Sequence, residues 1–295
     1  MLNGAAQSLS QAFERLQQGS AAAGRIGEVL RRKADVRDTP DARKPPIKGH
    51  LRFENVGVRA GNRWVLRHID LDILPGMTVG IVGATGAGKS TLISLIGRGL
   101  DPDEGQIRLD GHDLRSIKLK YLRRHVGYVP QETLLFGMTV QENITLGMAN
   151  VPDEHVHRAV TAARLSNDLV QLPQGMATVV GERGATLSGG QKQRTAIARA
   201  LVRDPVLLLL DDSLANVDTQ TAAEIIGELN TANAGRTCLI VSQRLAAVRS
   251  ADLIVVLEDG QIVERGTHKA LLELNGRYAA MYRRELRQAE DMYAT

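Results

Sequence analysis

GATGAGKST, residues Gly83, Ala84, Thr85, Gly86, Ala87, Gly88, Lys89, Ser90 and Thr91, follows the short apolar run Thr78 to Val82. It fits the phosphate-loop pattern of glycine, four residues, then Gly-Lys-Ser. Glycine at positions 83, 86 and 88 permits backbone conformations and close approaches that a Cβ would obstruct, so successive N–H groups can converge on phosphate oxygens. The helix expected to begin near Lys89 points its positive dipole end at the same anion. Lys89 supplies a point charge for the outer phosphates, and the Ser90 hydroxyl is placed to ligate a bridging magnesium ion. A plain glycine-rich turn from strand to helix would explain the glycines alone. It would not explain strand, loop, Lys-Ser and helix standing in this order.

Composition sets the outer limits. The 295 residues are 43% hydrophobic and 24% charged, an ordinary globular balance with room for one or two domains. The net charge of +4 is modest, and three phenylalanines, five tyrosines and one tryptophan form no basic-aromatic array, so no nucleic-acid partner is expected. The single cysteine, Cys238, sits in the apolar run Thr237 to Val241, which leaves it without a partner for a disulfide or a metal cluster and favours the cytosol. No run approaches the length of a membrane span, and the N-terminus lacks the order of a signal peptide. The chain as it stands is therefore expected neither to cross a membrane nor to be secreted.

Residues 5 to 33 carry Leu9, Phe13, Leu16, Ile26 and Leu30 at helical spacing, with a weak point at Gly19-Ser20. Two readings of this helix stand: it lies on the domain that follows, or it continues a helix outside the chain. Residues 34–49, charged and proline-bearing, read as a linker, and the compact domain is expected to start near His50 and run to 295. Two apolar runs between Leu51 and Leu74, separated by Ala60-Gly61-Asn62, predict a strand pair. The phosphate-loop helix is expected to reach about Leu100, followed by strands at Gln106 to Leu109 and Val126 to Val129. Apolar positions then switch to helical spacing, which predicts a helical insertion over about 132–204. Strands resume at 206–210, TCLIV and LIVVL, with helices near 218–230 and 267–288. This order predicts an α/β fold: a P-loop core with a mostly parallel sheet, an antiparallel β subdomain and an inserted helical subdomain.

Two further stretches carry chemistry. VLLLLDD, Val206 to Asp212, reads as a strand buried on both faces whose terminal carboxylate emerges where such sheets bind ligands. Asp211 can then reach the magnesium beside Ser90, and Asp212 can approach the water that attacks the terminal phosphate. LSGGQ, Leu187 to Gln191, opens a helical run, and Ser188 with Gln191 forms a capping box in sequence. A cap alone leaves Gly189 and Gly190 unexplained, since each costs about 1 kcal/mol against alanine in a helix. Bare backbone there suits a phosphate pressed against the helix end.

The phosphate loop, Val206 to Asp212 and above all LSGGQKQR resemble the nucleotide-binding domain of an ATP-binding cassette transporter, from about Leu51 to the C-terminal helices. The resemblance implies ATP and Mg2+ as cofactors and ATP hydrolysis as the activity. It implies two such domains sandwiching two ATP molecules, each site pairing one phosphate loop with the other domain's LSGGQ. It further implies that Gln131 senses the magnesium and the attacking water, and that Asp218, in ANVD, touches the opposite site. VGERG, Val180 to Gly184, and LFGMTVQENI, Leu135 to Ile144, resemble the exporter branch, where they meet transmembrane domains at the cytoplasmic face of the cell membrane. Residues 1–33 then resemble the tail of the last transmembrane helix.

Three positions depart from that family pattern. Asp212 stands for a catalytic glutamate, Gln243 for a histidine at the terminal phosphate, and Ala60 for a stacking aromatic, with Trp64 a nearby substitute. Glutamine cannot become cationic or carry a proton as histidine does. The pattern resembles one half of a heterodimeric exporter, with a slow site of its own and a signature that completes the site of a different, consensus chain. The alternatives are a homodimer with two slow sites, an ATP-driven dimerisation clamp, and a soluble ATPase acting with an importer or on nucleic acid.

Overall fold

The computed structural model describes residues 2–31, 34–231 and 235–293. The chain divides into two compact units, residues 1–37 and 38–295. The first holds α1 (Leu2–Arg31), which runs unbroken through Gly19-Ser20. The last two positions of the helix expected over 5–33 lie outside the described residues. Its Phe13, Leu16, Ile26, Val29 and Leu30 are exposed.

The second unit begins with β1 (Leu51–Ala60), β2 (Arg63–Ile73), β3 (Thr78–Val82), α2 (Lys89–Ile96), β4 (Glu104–Leu109), β5 (His112–Asp113), α3 (Leu119–Arg124) and β6 (Val126–Val129). Helices alone follow, apart from short turns: α4 (Val140–Ile144), α5 (Asp153–Ala162), α6 (Ser166–Gln171) and α7 (Gly189–Leu201). Then come β7 (Leu207–Asp211), α8 (Thr219–Thr231), β8 (Thr237–Val241), β9 (Leu253–Glu258), β10 (Gln261–Gly266), α9 (His268–Leu274) and α10 (Arg277–Tyr293).

The larger sheet has the order β10-β9-β3-β8-β7-β6, parallel throughout except for β10 on β9. The smaller sheet, β2-β1-β4-β5, is antiparallel. Strand β7 shows why its run is unbroken leucine. Leu208 and Leu210 pack into a core with Val160, Ile197 and Ile226 from the helices, while Leu207 and Leu209 pack into a second core with Leu92, Ile93 and the smaller sheet's Phe53. Each buried leucine contributes about 1.5–3 kcal/mol. A strand with helices on one face and a helix plus a sheet on the other has no position for a polar residue until it leaves the sheet, at Asp211.

Three local expectations change. The phosphate-loop helix stops at Ile96, with Gly97 at its C-cap, short of Leu100. The single helix expected over 267–288 is two, because Asn275 takes the left-handed conformation (φ 55°) that ends α9. The folded unit starts at Asp38, ahead of His50. Asp38 accepts from the Leu119 N–H, Arg43 exchanges backbone bonds with Ser116 and Lys118, and the Asp110 carboxylate accepts from the N–H groups of Lys48, Gly49 and His50.

The same segment is fixed from the far side by Thr237, which is wholly buried. Its hydroxyl donates to the Gly49 carbonyl at 2.8 Å and accepts from the Gly76 N–H at 3.1 Å. Thr237→Val keeps the shape and orphans both backbone groups, so it is expected to destabilise the unit by about 2 kcal/mol, read as a lower midpoint in urea unfolding. An unchanged midpoint would show that this bridge contributes nothing.

Candidate functional site

The glycines of GATGAGKST adopt the conformations the loop requires. Gly83, Gly86 and Gly88 have φ of 151°, 83° and 99°. A Cβ on Gly83 would overlap the Leu257 carbonyl oxygen, and one on Gly88 would lie 2.8 Å from the Val65 carbonyl. Helix α2 starts on Gly88 with no side-chain cap, so its first-turn N–H groups have no carboxylate or hydroxyl competing with an incoming anion. Lys89, buried, donates to the carbonyls of Gly83 and Ala84, both at 2.8 Å, and so ties the loop's first residues to its last. Burial pulls its ammonium below the ordinary lysine value, with Asp212 and Asp211 acting in the opposite direction.

Parallel pairing of β3, β8 and β7 brings the ends of these strands together around the loop. Asp211 leaves β7 with one carboxylate oxygen accepting from Ser90 Oγ at 3.0 Å and the other facing the Tyr128 hydroxyl at 3.4 Å. Asp212 is buried in the left-handed region (φ 47°), its N–H on the Val241 carbonyl. Its two oxygens lie 3.4 Å from the Gln243 backbone nitrogen and 3.5 Å from Gln131 Nε2. Burial is the largest influence on the Asp212 carboxyl and pushes its pKa upward.

These residues share one cleft of about 290 Å³, lined by Thr85, Gly86, Gly88, Lys89, Ser90, Thr91, Gln131, Asp211, Asp212 and Gln243, together with Val65 and Val241. Gly83, Ala84 and Ala87 do not line it; the first two hold Lys89 through their carbonyls, and Ala87 is buried. The donor set for a metal is a hydroxyl, a carboxylate and an amide oxygen, all hard ligands, which fits Mg2+. Among the described residues no group of three His, Cys, Asp or Glu side chains could hold a metal. Ser90, Asp211 and Gln131 would therefore share the ion with phosphate oxygens, the usual arrangement for magnesium.

The LSGGQ stretch lies elsewhere. Ser188 caps α7: its hydroxyl accepts from the Gln191 N–H at 3.2 Å, and Gln191 Oε1 accepts from the Ser188 N–H at 3.0 Å. Ser188, Gly189 and Gly190 line an open cleft of about 960 Å³ with Arg194, Asn216, Asp218 and Arg244; Gln191 is absent from its wall, its side chain spent on the cap. Gly190 is packed closely, since a Cβ there would lie 3.2 Å from the Asn216 carbonyl and would need that carbonyl to shift by a few tenths of an ångström. Arg194 is held by Asp168 through two bonds of 2.7 Å. Asp218 accepts from the Thr221 N–H at 2.9 Å at the start of α8, and that bond is the largest cause of its lowered pKa.

Trp64 does not reach the phosphate cleft. It sits on β2 with the Arg59 guanidinium 3.9 Å above its ring, and Val65, its neighbour, lines the cleft instead. Ala60 is exposed at the end of β1. Sequence reading missed Val65, Arg194, Asn216 and Arg244 as wall residues, and Tyr128 as a neighbour of Asp211. Arg194 lies in LSGGQKQR and Asn216 in ANVD, where neither was singled out, Val65 and Arg244 carried no signal of their own, and the alternation of β6 could have marked Tyr128. The two stretches LFGMTVQENI and VGERG do meet: Val180 N–H donates to the Met138 carbonyl and Val140 N–H to the Thr178 carbonyl, and Leu134, Phe136, Met138 and Val179 are exposed beside this junction.

Comparison with known proteins agrees with this geometry. The family model described as ABC transporter matches residues 66–215. A probable multidrug resistance ABC transporter ATP-binding/permease protein of Bacillus subtilis, YheI, is 43% identical over 92% of this chain and 46% of its own length. The ATP-dependent lipid A-core flippase of Desulfotalea psychrophila is 38% identical over 93% of this chain and 48% of its own. A solved bacterial Atm1-family ABC exporter with ATP bound superposes with a TM-score of 0.87 at 35% identity, covering 94% of this chain and 49% of that one. The chain thus spans about half the length of each of these three proteins. It belongs to the ABC transporter family and carries that family's ATPase domain.

Proposed function

We propose that this domain drives export across a membrane from its cytoplasmic face, acting as one of two nucleotide-binding domains that close on ATP and Mg2+. The observation that carries this reading is the separation of the two anion-binding helix ends. The phosphate cleft at α2 and the LSGGQ cleft at α7 have no lining residue in common. This separation supports reading each as half of a site, the other half coming from a second domain. The junction of LFGMTVQENI with VGERG, with Leu134, Phe136, Met138 and Val179 exposed, offers an apolar surface for transmembrane helices. Residues 1–33 would continue the last of those helices, and the nucleotide-binding domain, expected from the sequence over 50–295, would take in the docked segment 38–49 as well.

In this reading Lys89, the loop N–H groups and α2 hold the phosphates, and Ser90, Asp211 and Gln131 hold the magnesium, which when bound neutralises charge on the outer phosphates. Gln131 and Asp212, 3.5 Å apart, orient the attacking water, and Gln243 donates to the terminal phosphate. A glutamine at that position cannot carry a proton, and the Asp212 carboxylate is withdrawn by about one C–C bond from the reach of a glutamate, where an error of about 1 Å can cost on the order of a hundredfold in rate. The chain's own site is accordingly slow, and its intact LSGGQ serves the faster site of a different chain.

The test is ATP hydrolysis by this chain alone and mixed with a nucleotide-binding domain that has glutamate and histidine at the two positions. Slow turnover alone and about tenfold or more stimulation on mixing is the expected result. Rapid turnover by the isolated chain would sink the slow-site reading.

A further inference from the structure

We infer that Glu285, on the C-terminal helix α10, is a positioning residue for the loop that carries Gln243. The inference rests on the reading that Gln243 meets the terminal phosphate. Four consecutive backbone N–H groups, Ser242 to Leu245, are each fixed by a different acceptor. Ser242 donates to the Ile81 carbonyl on β3 at 3.2 Å, Gln243 to the Asp212 carboxylate at 3.4 Å, and Arg244 to the Ser242 hydroxyl at 3.0 Å. The fourth, Leu245, donates to Glu285 Oε2 at 2.8 Å, the shortest of the set.

Three of these acceptors belong to the sheet, its loops or the segment itself. Glu285 alone comes from outside them, forty residues along the chain. Its carboxylate sits at the start of the short 3-10 turn Leu245–Ala247, where the first N–H groups have no partner within the turn. A charged acceptor at such an end makes a stronger bond than a neutral one. Leu245 itself is buried and faces the helical core, so the turn cannot adjust by sliding. Arg244, between the two fixed N–H groups, extends its guanidinium to the Val217 carbonyl at 3.1 Å and lines the LSGGQ cleft. Release of Leu245 would therefore loosen Gln243 on one side of Arg244 and the wall of the second cleft on the other. The bond gives α10 a direct hold on both half-sites.

The experiment compares Glu285→Ala and Glu285→Gln in the full chain by three measurements: amide hydrogen exchange at residues 243–247, ATP affinity, and single-turnover hydrolysis of bound ATP. Alanine removes the acceptor, whereas the glutamine amide oxygen can still accept. Glu285→Ala is expected to speed exchange of the Leu245 amide by about tenfold or more and to slow hydrolysis by about fivefold, with ATP affinity held within about twofold. Glu285→Gln is expected to restore most of both. Faster exchange with unchanged hydrolysis would overturn the inference and leave the proposed function standing, as would a parallel loss of rate and affinity. A glutamine variant no better than alanine would overturn it too. Failure of the unaltered chain to bind ATP would overturn the function first, and the inference with it.

Discussion

Asp212→Glu combined with Gln243→His is expected to raise turnover at this chain's own site by about a hundredfold while leaving ATP affinity nearly unchanged. The cleft already holds the binding machinery. Lys89 closes the loop, α2 presents an uncapped N-terminus, and Ser90 meets Asp211 at 3.0 Å. What it lacks is reach and proton chemistry. The Asp212 backbone is fixed by its N–H bond to Val241 and one carboxylate oxygen faces the Gln243 N–H at 3.4 Å, so the short side chain stays at the wall and does not replace the missing methylene. A glutamate on the same left-handed backbone would place its oxygens further into the cleft, beside Gln131. A histidine at 243 would add a side chain that can be cationic against the phosphate.

Single changes should fall well short of the pair, because residues acting on one transition state are strongly non-additive. The measurement is single-turnover hydrolysis for the two single variants and the double variant, with ATP affinity measured in parallel. If the double variant bound ATP normally and hydrolysed it no faster than the parent, the impairment would lie elsewhere than in these two side chains.

How much of this was readable beforehand depends on the range of the interaction. The phosphate loop, β7 and the Ser188 cap are local: glycine placement, an unbroken leucine run and a three-residue spacing each determine a conformation by themselves, and each is found where the sequence puts it. Strand β10 was not legible, because as an antiparallel edge its pattern QIVERG is polar and its partner β9 supplies the order. Nor was the docking of residues 38–49, which depends on Asp110 and Thr237 far along the chain. Trp64 illustrates the same limit on a smaller scale. Its proximity in sequence to Ala60 suggested a substitute stacking face, but strand alternation sends Val65 to the cleft and Arg59 covers the indole. The helix break at Asn275 was visible as Asn-Gly in the sequence and was outweighed by apolar spacing on either side of it.

Ser188→Asp separates the two roles of the LSGGQ helix end, and it is expected to leave the fold intact while reducing ATP turnover of the two-chain assembly by about a hundredfold or more. Serine and aspartate are about equally good N-caps, so the Gln191 N–H keeps an acceptor, and a carboxylate is favoured by the helix dipole. If Ser188 served only as a cap, the variant would be as stable and as active as the parent. If a phosphate of the opposing ATP presses against this end, the new carboxylate puts negative charge against negative charge in a site closed to water, where the repulsion is large. Arg194 cannot cancel it, being held by Asp168 through two bonds. The chain's own phosphate cleft shares no residue with this one, so its ATP affinity should be unaffected. Thermal unfolding, ATP affinity of the single chain and turnover of the mixed assembly together decide the matter: a stable variant that binds ATP, yet fails to stimulate the consensus partner, places the chemistry across the interface. Turnover near that of the parent would mean that the LSGGQ end only starts a helix.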